Sequence, residues 1–280
     1  MKFKPAKSRS LSIVKGKVVN DIRFQVGGQA IPTVCEEPVK SLGRWYDCNL
    51  KDSKQSQAVV KANEEGLKKI DRTRLQGKFK VWIVQFMHIP KLLWPLMVYE
   101  IGLCAVERIE QKIGSYTRKW LGLPPGLTSV ALYSRSAKLK LPLRSVVEEF
   151  KVSKVRSQMM LSYSSDNCVR SSKVKLKSGR KWKAAAATVE AEQDAKFKDV
   201  IGATQSGRQG FGFGQSRILW ASASDRQRRD LVVKKVRDKE EAARYQTESA
   251  GTVDGVGGHA TFAHLGGHMA YGTPQARVHH

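Results

Sequence analysis

The stretch 103–121, LCAVERIEQKIGSYTRKWL, decides what kind of fold this chain can adopt. Its apolar residues recur every three or four positions, and its charged residues fall mostly on the opposite face. This spacing predicts an amphipathic α-helix that packs one face against neighbouring helices. The apolar face consists of Leu103, Val106, Ile109, Ile113, Tyr116 and Trp120.

Helical spacing continues on both sides of this stretch. We predict an amphipathic helix over about 54–75, apolar helical segments over 79–101, and a last helix from 143 to about 163. Proline cannot donate the hydrogen bond that a helix interior requires, so we expect Pro90 to end one apolar segment. Residues 54–163 are therefore predicted to form a helical bundle.

Shorter and less apolar segments flank the bundle. Residues 9–46 are β-rich, with a hairpin signal at Gly27-Gly28, and predict one small antiparallel sheet. Residues 164–250 are predicted to form loosely packed basic helices, and 251–280 a disordered tail rich in glycine and histidine. The expected fold class is α+β, with a small sheet followed by a mainly helical bundle.

Charge indicates the class of partner. The chain has 50 Lys+Arg and 25 Asp+Glu, a formal net charge of +25, so we expect a polyanion such as RNA or DNA bound through its phosphates. Two basic runs are the candidate contacts. The first comprises Lys2, Lys4, Lys7, Arg9, Lys15 and Lys17, and the second Lys173, Lys175, Lys177, Arg180, Lys181 and Lys183.

Other kinds of site are poorly supported by the sequence. His88 lies in an apolar run and is interpreted as structural, and adjacent Glu148 and Glu149 as a solvated helix face. No metal site is predicted, because the cysteines and histidines lack zinc-site spacing and no Asp-Asp pair occurs.

The sequence also predicts where the protein is located. Its apolar runs are too short to span a bilayer, and it shows no signal-peptide pattern. We therefore expect an intracellular protein that is not secreted and binds no membrane. The four cysteines, predicted to be free thiols, are Cys35, Cys48, Cys104 and Cys168.

Four segments in a fixed order resemble the downstream part of a non-LTR (LINE-type) retrotransposon reverse transcriptase, over about residues 1–250. The resemblance implies that 1–47 is the end of the palm with a primer-grip-like segment, that 54–163 is a thumb-like domain, and that 164–250 is a basic helical extension. The segments are KFKPAKSRSLSIVKGKV, VKSLGRWYD, WIVQFMHIPKLLWPLMVYE and RKWLGLPPGLTSVALY.

The resemblance also implies roles for individual residues. KPAKS resembles the motif that closes the palm, with Lys4 in place of the usual asparagine. This implies that Lys7 is a general acid toward pyrophosphate, if a palm is supplied. The primer-grip-like segment consists of Lys40, Ser41, Leu42, Gly43 and Arg44, with Ser41 where the family usually has an aromatic residue.

Missing aspartates determine the expected function. The family's RNA-directed DNA polymerases (nucleotidyltransferases) hold two Mg²⁺ on palm aspartates, which would lie upstream of Met1. We therefore expect an inactive polymerase fragment, without a cofactor of its own, that binds nucleic acid nonspecifically. Two alternatives stay open: a basic nucleic-acid-binding adaptor recruited by the host, and a polymerase subunit completed by a palm-bearing chain.

The tail 251–280 has a separate interpretation. It contains seven glycines and five of the chain's six histidines. With assumed codons, a shift of one nucleotide would restore tryptophans and a D-I-W-H-M-E-P segment that resembles the family's continuation. We interpret the tail as a frameshift product, with a natural Gly/His-rich tail as the alternative.

Overall fold

The computed structural model describes residue 4 and residues 7–41, 43–48, 52–135, 143–205 and 215–251. The expected α+β class is confirmed, because the described residues are mainly helical and include three small antiparallel two-stranded sheets. Lys2, Leu42 and the tail after Gly251 lie outside the described residues. The predictions made for them therefore stay predictions.

Three separate hairpins precede the helices. Thus the expectation of one continuous sheet was wrong for the described residues. The reason is that each strand has only two or three residues and little buried surface, so each strand pairs only within its own hairpin. The turn at Gly27-Gly28 is confirmed. The strands are β1 (Ser12–Val14), β2 (Lys17–Val19), β3 (Gln25–Val26), β4 (Gln29–Ala30), β5 (Val39–Ser41) and β6 (Arg44–Tyr46).

Helices make up most of the described chain after the hairpins. The apolar stretch forms one run, because Pro90 occupies the first turn of its second α-helical part, where a missing N–H costs little. Pro90 therefore does not end the helix. The helices are α1 (Ser53–Asp71), α2 (Gly77–Ile83), a π-helical turn (Val84–His88), α3 (Ile89–Val98), α4 (Leu103–Leu121), α5 (Ser129–Tyr133), α6 (Val146–Ser162), α7 (Asn167–Ser171), α8 (Ala184–Gln205), α9 (Gln215–Ser222) and α10 (Asp225–Gly251).

The run Gly77–Val98 also bears on the membrane prediction. By length and composition it is long and apolar enough to cross a bilayer, with a mean hydropathy of 1.3 over 18 residues. One third of that window, 33%, is buried inside the protein. Within this run His88 is buried and hydrogen bonds Asn63 Oδ1 over 3.0 Å. The structural interpretation of His88 fits this contact.

The predicted helix α4 is confirmed, and its end is defined by local chemistry. Gly122 adopts a left-handed conformation, with φ of 64°, and Leu123 N donates to Arg118 O over 2.9 Å. These features close the helix as a Schellman-type cap. Asp71 then joins the ends of α1 and α4, because its carboxylate accepts from Trp120 Nε1 over 2.7 Å.

Two apolar clusters form the interior, and α6 belongs to both. Phe150 of α6 is buried with α1, α3 and α4, whereas Val152, Val155 and Met159 are buried against Ala191 of α8 and three valines of α10. The prediction of loosely packed helices after residue 163 was therefore wrong for α8 and α10. Their Ala- and charge-rich sequences bury a narrow apolar stripe against α6. The α10 valines are Val232, Val233 and Val236.

Charged contacts reinforce the packing of α10 on α6. Arg237 bridges two carboxylates, with Nη1 2.7 Å from Glu148 Oε1 and Nη2 2.9 Å from Glu149 Oε1. Arg244 Nη2 lies 2.8 Å from Glu148 Oε2. The interpretation of Glu148 and Glu149 as a solvated face was wrong, because α10 covers them and Glu148 is buried.

We expect Glu148→Gln to lower the free energy of unfolding by about 2 kcal/mol, because it removes the buried carboxylate that Arg237 and Arg244 share, while Arg237 keeps its pair with Glu149. Urea denaturation followed by circular dichroism measures this. Glu65→Gln is the matched control, since Glu65 is exposed and lies 4.0 Å from Lys61. Glu65→Gln should lower the free energy of unfolding by less than about 0.5 kcal/mol. Equal losses of stability in the two variants would contradict the role of Glu148 in holding α10 on α6.

A buried lysine caps the C-terminal end of α3. Lys154 of α6 donates from Nζ to Met97 O over 2.9 Å and to Tyr99 O over 3.2 Å. Its neutral carbonyl partners compensate only part of the lost hydration, and burial lowers the pKa of Lys154 to about 8. The folded protein therefore holds this proton less tightly than the unfolded chain does.

This lowered pKa predicts a pH dependence of stability. Below pH 8 the folded and the unfolded protein both hold the proton, and folding has to bury a charged ammonium group. Between about pH 8 and the ordinary pKa of 10.5, only the unfolded protein holds the proton. The free energy of unfolding should thus rise by about 2 kcal/mol from pH 8 to 10 through this group alone. Urea titrations of wild type and Lys154→Met should differ by that increment, and identical pH profiles would contradict it.

Candidate nucleic-acid interface

The second basic run is a loop, residues 173–183, which we call the basic loop. Its backbone is fixed on both sides by Gln158 of α6, whose Oε1 accepts from Leu176 N over 2.9 Å while Nε2 donates to Val174 O over 3.2 Å. Ser178 Oγ caps the next helix by accepting from Ala184 N. The backbone that carries the cations of this loop is therefore held in place.

Close backbone packing adds to this fixation. Gly179 has a φ of 93°, and a Cβ there would lie 2.9 Å from the Cα of Gly102. Trp182 packs on Phe150 with ring centroids 6.1 Å apart. Together these contacts hold the basic loop against the start of α4.

The six predicted cations of the basic loop are all exposed, but they are not equivalent. Lys177 pairs with Glu100 over 3.3 Å, and Lys181 pairs with Glu107 over 2.7 Å. Within the described part of the chain, the other four have no carboxylate within ion-pair distance. These four are Lys173, Lys175, Arg180 and Lys183.

The described members of the first basic run are scattered along the N-terminal segment. Lys4 and Lys7 are exposed, and Lys15 and Lys17 lie at the turn and second strand of the first hairpin. Arg9 pairs with Glu37 and is largely buried. Arg9 is therefore already neutralised, and the four described lysines of this run are exposed.

The primer-grip-like segment forms the hairpin β5–β6, and its two cations point to opposite faces. Lys40 lies directly opposite Trp45 in the antiparallel pair, with its Nζ 5.7 Å from the Trp45 ring centroid. Arg44 instead pairs with Asp52 over 3.0 Å. Asp52 therefore already neutralises Arg44, whereas Ser41, which lies opposite Arg44 in the hairpin, is exposed.

Gly43 brings this hairpin against α3. It has a φ of 82°, and a Cβ there would lie 3.1 Å from Trp94 Nε1. The neighbour that lies close to Gly43 is the indole of Trp94. The hairpin and the outer surface of α3 therefore meet at this contact.

Side chains along α2–α3 form an exposed surface that the sequence did not predict. The run was predicted as apolar helical segments, and apolar residues alone do not tell which face of a helix is covered. Five large side chains lie uncovered, with exposed fractions of 50% to 60%. We call this surface the aromatic face: Phe79, Trp82, Phe86, Met87 and Trp94.

No group of three or more His, Cys, Asp or Glu among the described residues is arranged to hold a metal ion. Neither a protein-family profile nor a curated protein matches the chain with significance.

Gly43→Ala should shift the indole N–H resonance of Trp94, because the added methyl group needs the space beside Nε1. Gly16→Ala is the matched control: Gly16 has a similar φ of 75° but nothing within 4 Å of its Cβ position. Two-dimensional ¹H–¹⁵N spectra, with Trp94 assigned through Trp94→Phe, measure the shift. An unmoved resonance in Gly43→Ala would refute the contact.

Proposed function

We propose that this chain is a fragment of a retrotransposon-type reverse transcriptase that binds RNA and DNA through their phosphates without sequence preference. The observation that carries the binding part is the basic loop, whose free cations are fixed on a packed scaffold. Cations on a fixed backbone require little ordering of the loop when they bind a phosphate chain, which favours contact. We place the protein inside the cell, in the nucleus or cytoplasm.

We propose no polymerase chemistry for the chain alone. The sequence has no Asp-Asp pair, and the general-acid role of Lys7 depends on a palm. In the intact family enzyme, aspartates hold Mg²⁺, which activates the primer hydroxyl and stabilises the leaving phosphate. A palm-bearing chain is thus the partner that a catalytic role would need.

A second candidate is a host-recruited adaptor that binds nucleic acid and has no polymerase role. The shared helix α6 favours it, because it unites the bundle and the extension through two buried clusters. A polymerase remnant without a role of its own has no need of such a packed extension.

Salt dependence tests the binding proposal. We expect the slope of log K against log salt for a single strand to fall by about 1.4 in Lys175→Gln/Lys183→Gln, since each phosphate contact contributes about 0.7. Lys177→Gln/Lys181→Gln is the matched control and should lower the slope less, because both lysines are already paired. Fluorescence anisotropy from 50 to 200 mM salt measures both slopes.

The same samples test the chemistry. Primer extension on an RNA template with Mg²⁺ should give no product above a blank without protein. Extension would overturn the proposal of an inactive fragment, and binding with no salt dependence would overturn the phosphate contacts.

A further inference from the structure

The aromatic face follows a single row along the helix. Trp82, Phe86 and Trp94 are spaced by multiples of four, and exposed Pro90 completes the row. On a pure α-helix a spacing of four drifts by about 40° per step. The wider π turn at Val84–His88 offsets part of this drift, so the row stays on one side of the helix.

The rings of this row have free faces. Trp82 and Phe86 contact each other with centroids 5.2 Å apart and planes inclined by 41°. Their exposed fractions are nevertheless 55% and 53%, so each ring keeps surface that no other described residue covers. A cluster of exposed large rings on a folded surface indicates a binding site.

The surroundings of the aromatic face are positively charged. Residues 72–99 include five Lys and Arg and not one Asp or Glu. The exposed Lys78 lies beside the ring of Phe79, the exposed Lys91 directly follows Pro90 of the row, and the Gly43 contact with Trp94 joins this surface to the hairpin that carries Lys40. A partner for this surface must therefore combine flat apolar groups with negative charge.

Cation positions favour a nucleic acid over a lipid surface. Lys78 Nζ lies 5.1 Å from the ring centroid of Phe79, and Lys40 Nζ lies 5.7 Å from that of Trp45. Lysines of a membrane-binding helix extend away from the apolar face toward the headgroups. Here Lys78 stays beside Phe79 of the aromatic face, and Lys40 stays beside Trp45 on the hairpin that contacts Trp94, so both charges lie where phosphates next to a stacked nucleotide would lie.

We propose that the aromatic face binds single-stranded nucleic acid, with unpaired bases stacked on Trp82, Phe86 and Trp94. Lys78 and Lys91 contact the phosphates along the helix, and Lys40 extends the site onto the hairpin. Stacking accepts every base, so this site requires no sequence preference. The inference rests on the proposed function, to which it adds the strandedness of the ligand and a second contact surface.

The test distinguishes the stacking of bases from contacts with phosphates. Wild-type protein is titrated with a labelled oligothymidylate of about 15 nucleotides, with an abasic oligomer of the same length, and with a duplex. We expect oligothymidylate to bind at least about tenfold more tightly than the abasic oligomer, because stacking on aromatic rings contributes about 1–3 kcal/mol per base. The bases of the duplex are already stacked and cannot stack on the rings, so the affinity for the duplex should be the same in wild type and in Trp82→Leu/Phe86→Leu.

The decisive variant is Trp82→Leu/Phe86→Leu, which keeps apolar area and removes the π faces. In this variant the affinity for oligothymidylate should be within about twofold of the affinity for the abasic oligomer. The affinity for the abasic oligomer itself should be the same as in wild type. Phe24→Leu is the matched control, because Phe24 is equally exposed, at 50%, and lies outside the aromatic face. Its affinity ratio should equal that of wild type.

The other outcomes overturn the inference in distinguishable ways. Equal, salt-dependent binding of oligothymidylate and abasic oligomer would leave the phosphate-binding function standing and remove the stacking site. Absence of binding to either oligomer would contradict the proposed function itself.

Two further outcomes would give the aromatic face a different occupant. If phosphatidylcholine–phosphatidylserine vesicles capture the protein and it shows no preference for bases, the face binds a membrane. If the protein self-associates and the double variant does not, the face binds a second copy of the chain.

Discussion

A carboxylate buried at the first turn of α6 is the constraint on which the rest of the structure depends. Glu148 has little exposure, and its charge is compensated by Arg237 and Arg244 of α10. Removing that compensation would leave an ionised group in a poorly hydrated place. The start of α6 and the helix α10 therefore stabilise each other, and α8 packs against both of them.

Local patterns were predicted well, and pairings distant in sequence were not. The helix α4 has one covered face, so its periodicity is visible in the sequence, and Gly122 marks its end. In contrast, α6 is covered on two sides, by Phe150 in one cluster and Val155 in the other, so it has no single apolar stripe. Nothing in a charged pair such as Glu148-Glu149 identifies the arginines that cover it.

The candidate interface shows the same contrast between local patterns, which were predicted, and pairings distant in sequence, which were not. Composition revealed the excess of cations, but pairing decides which of them are available, and pairing depends on tertiary contacts. Lys177 and Lys181 differ from Lys175 only because Glu100 and Glu107 lie within reach. The aromatic face was missed because an apolar run suggests burial, whereas a helix at the edge of a bundle has more apolar surface than its neighbours can cover.

The sharing of α6 between two apolar clusters has a consequence for synthesis of the chain. The first cluster can assemble once α6 has left the ribosome, but Val152, Val155 and Met159 then face water until α8 and α10 are made. At 5–20 residues per second, translation from the end of α6 to the end of α10 takes roughly 5 to 20 seconds. During that interval the nascent chain displays an apolar strip of the kind that chaperones bind.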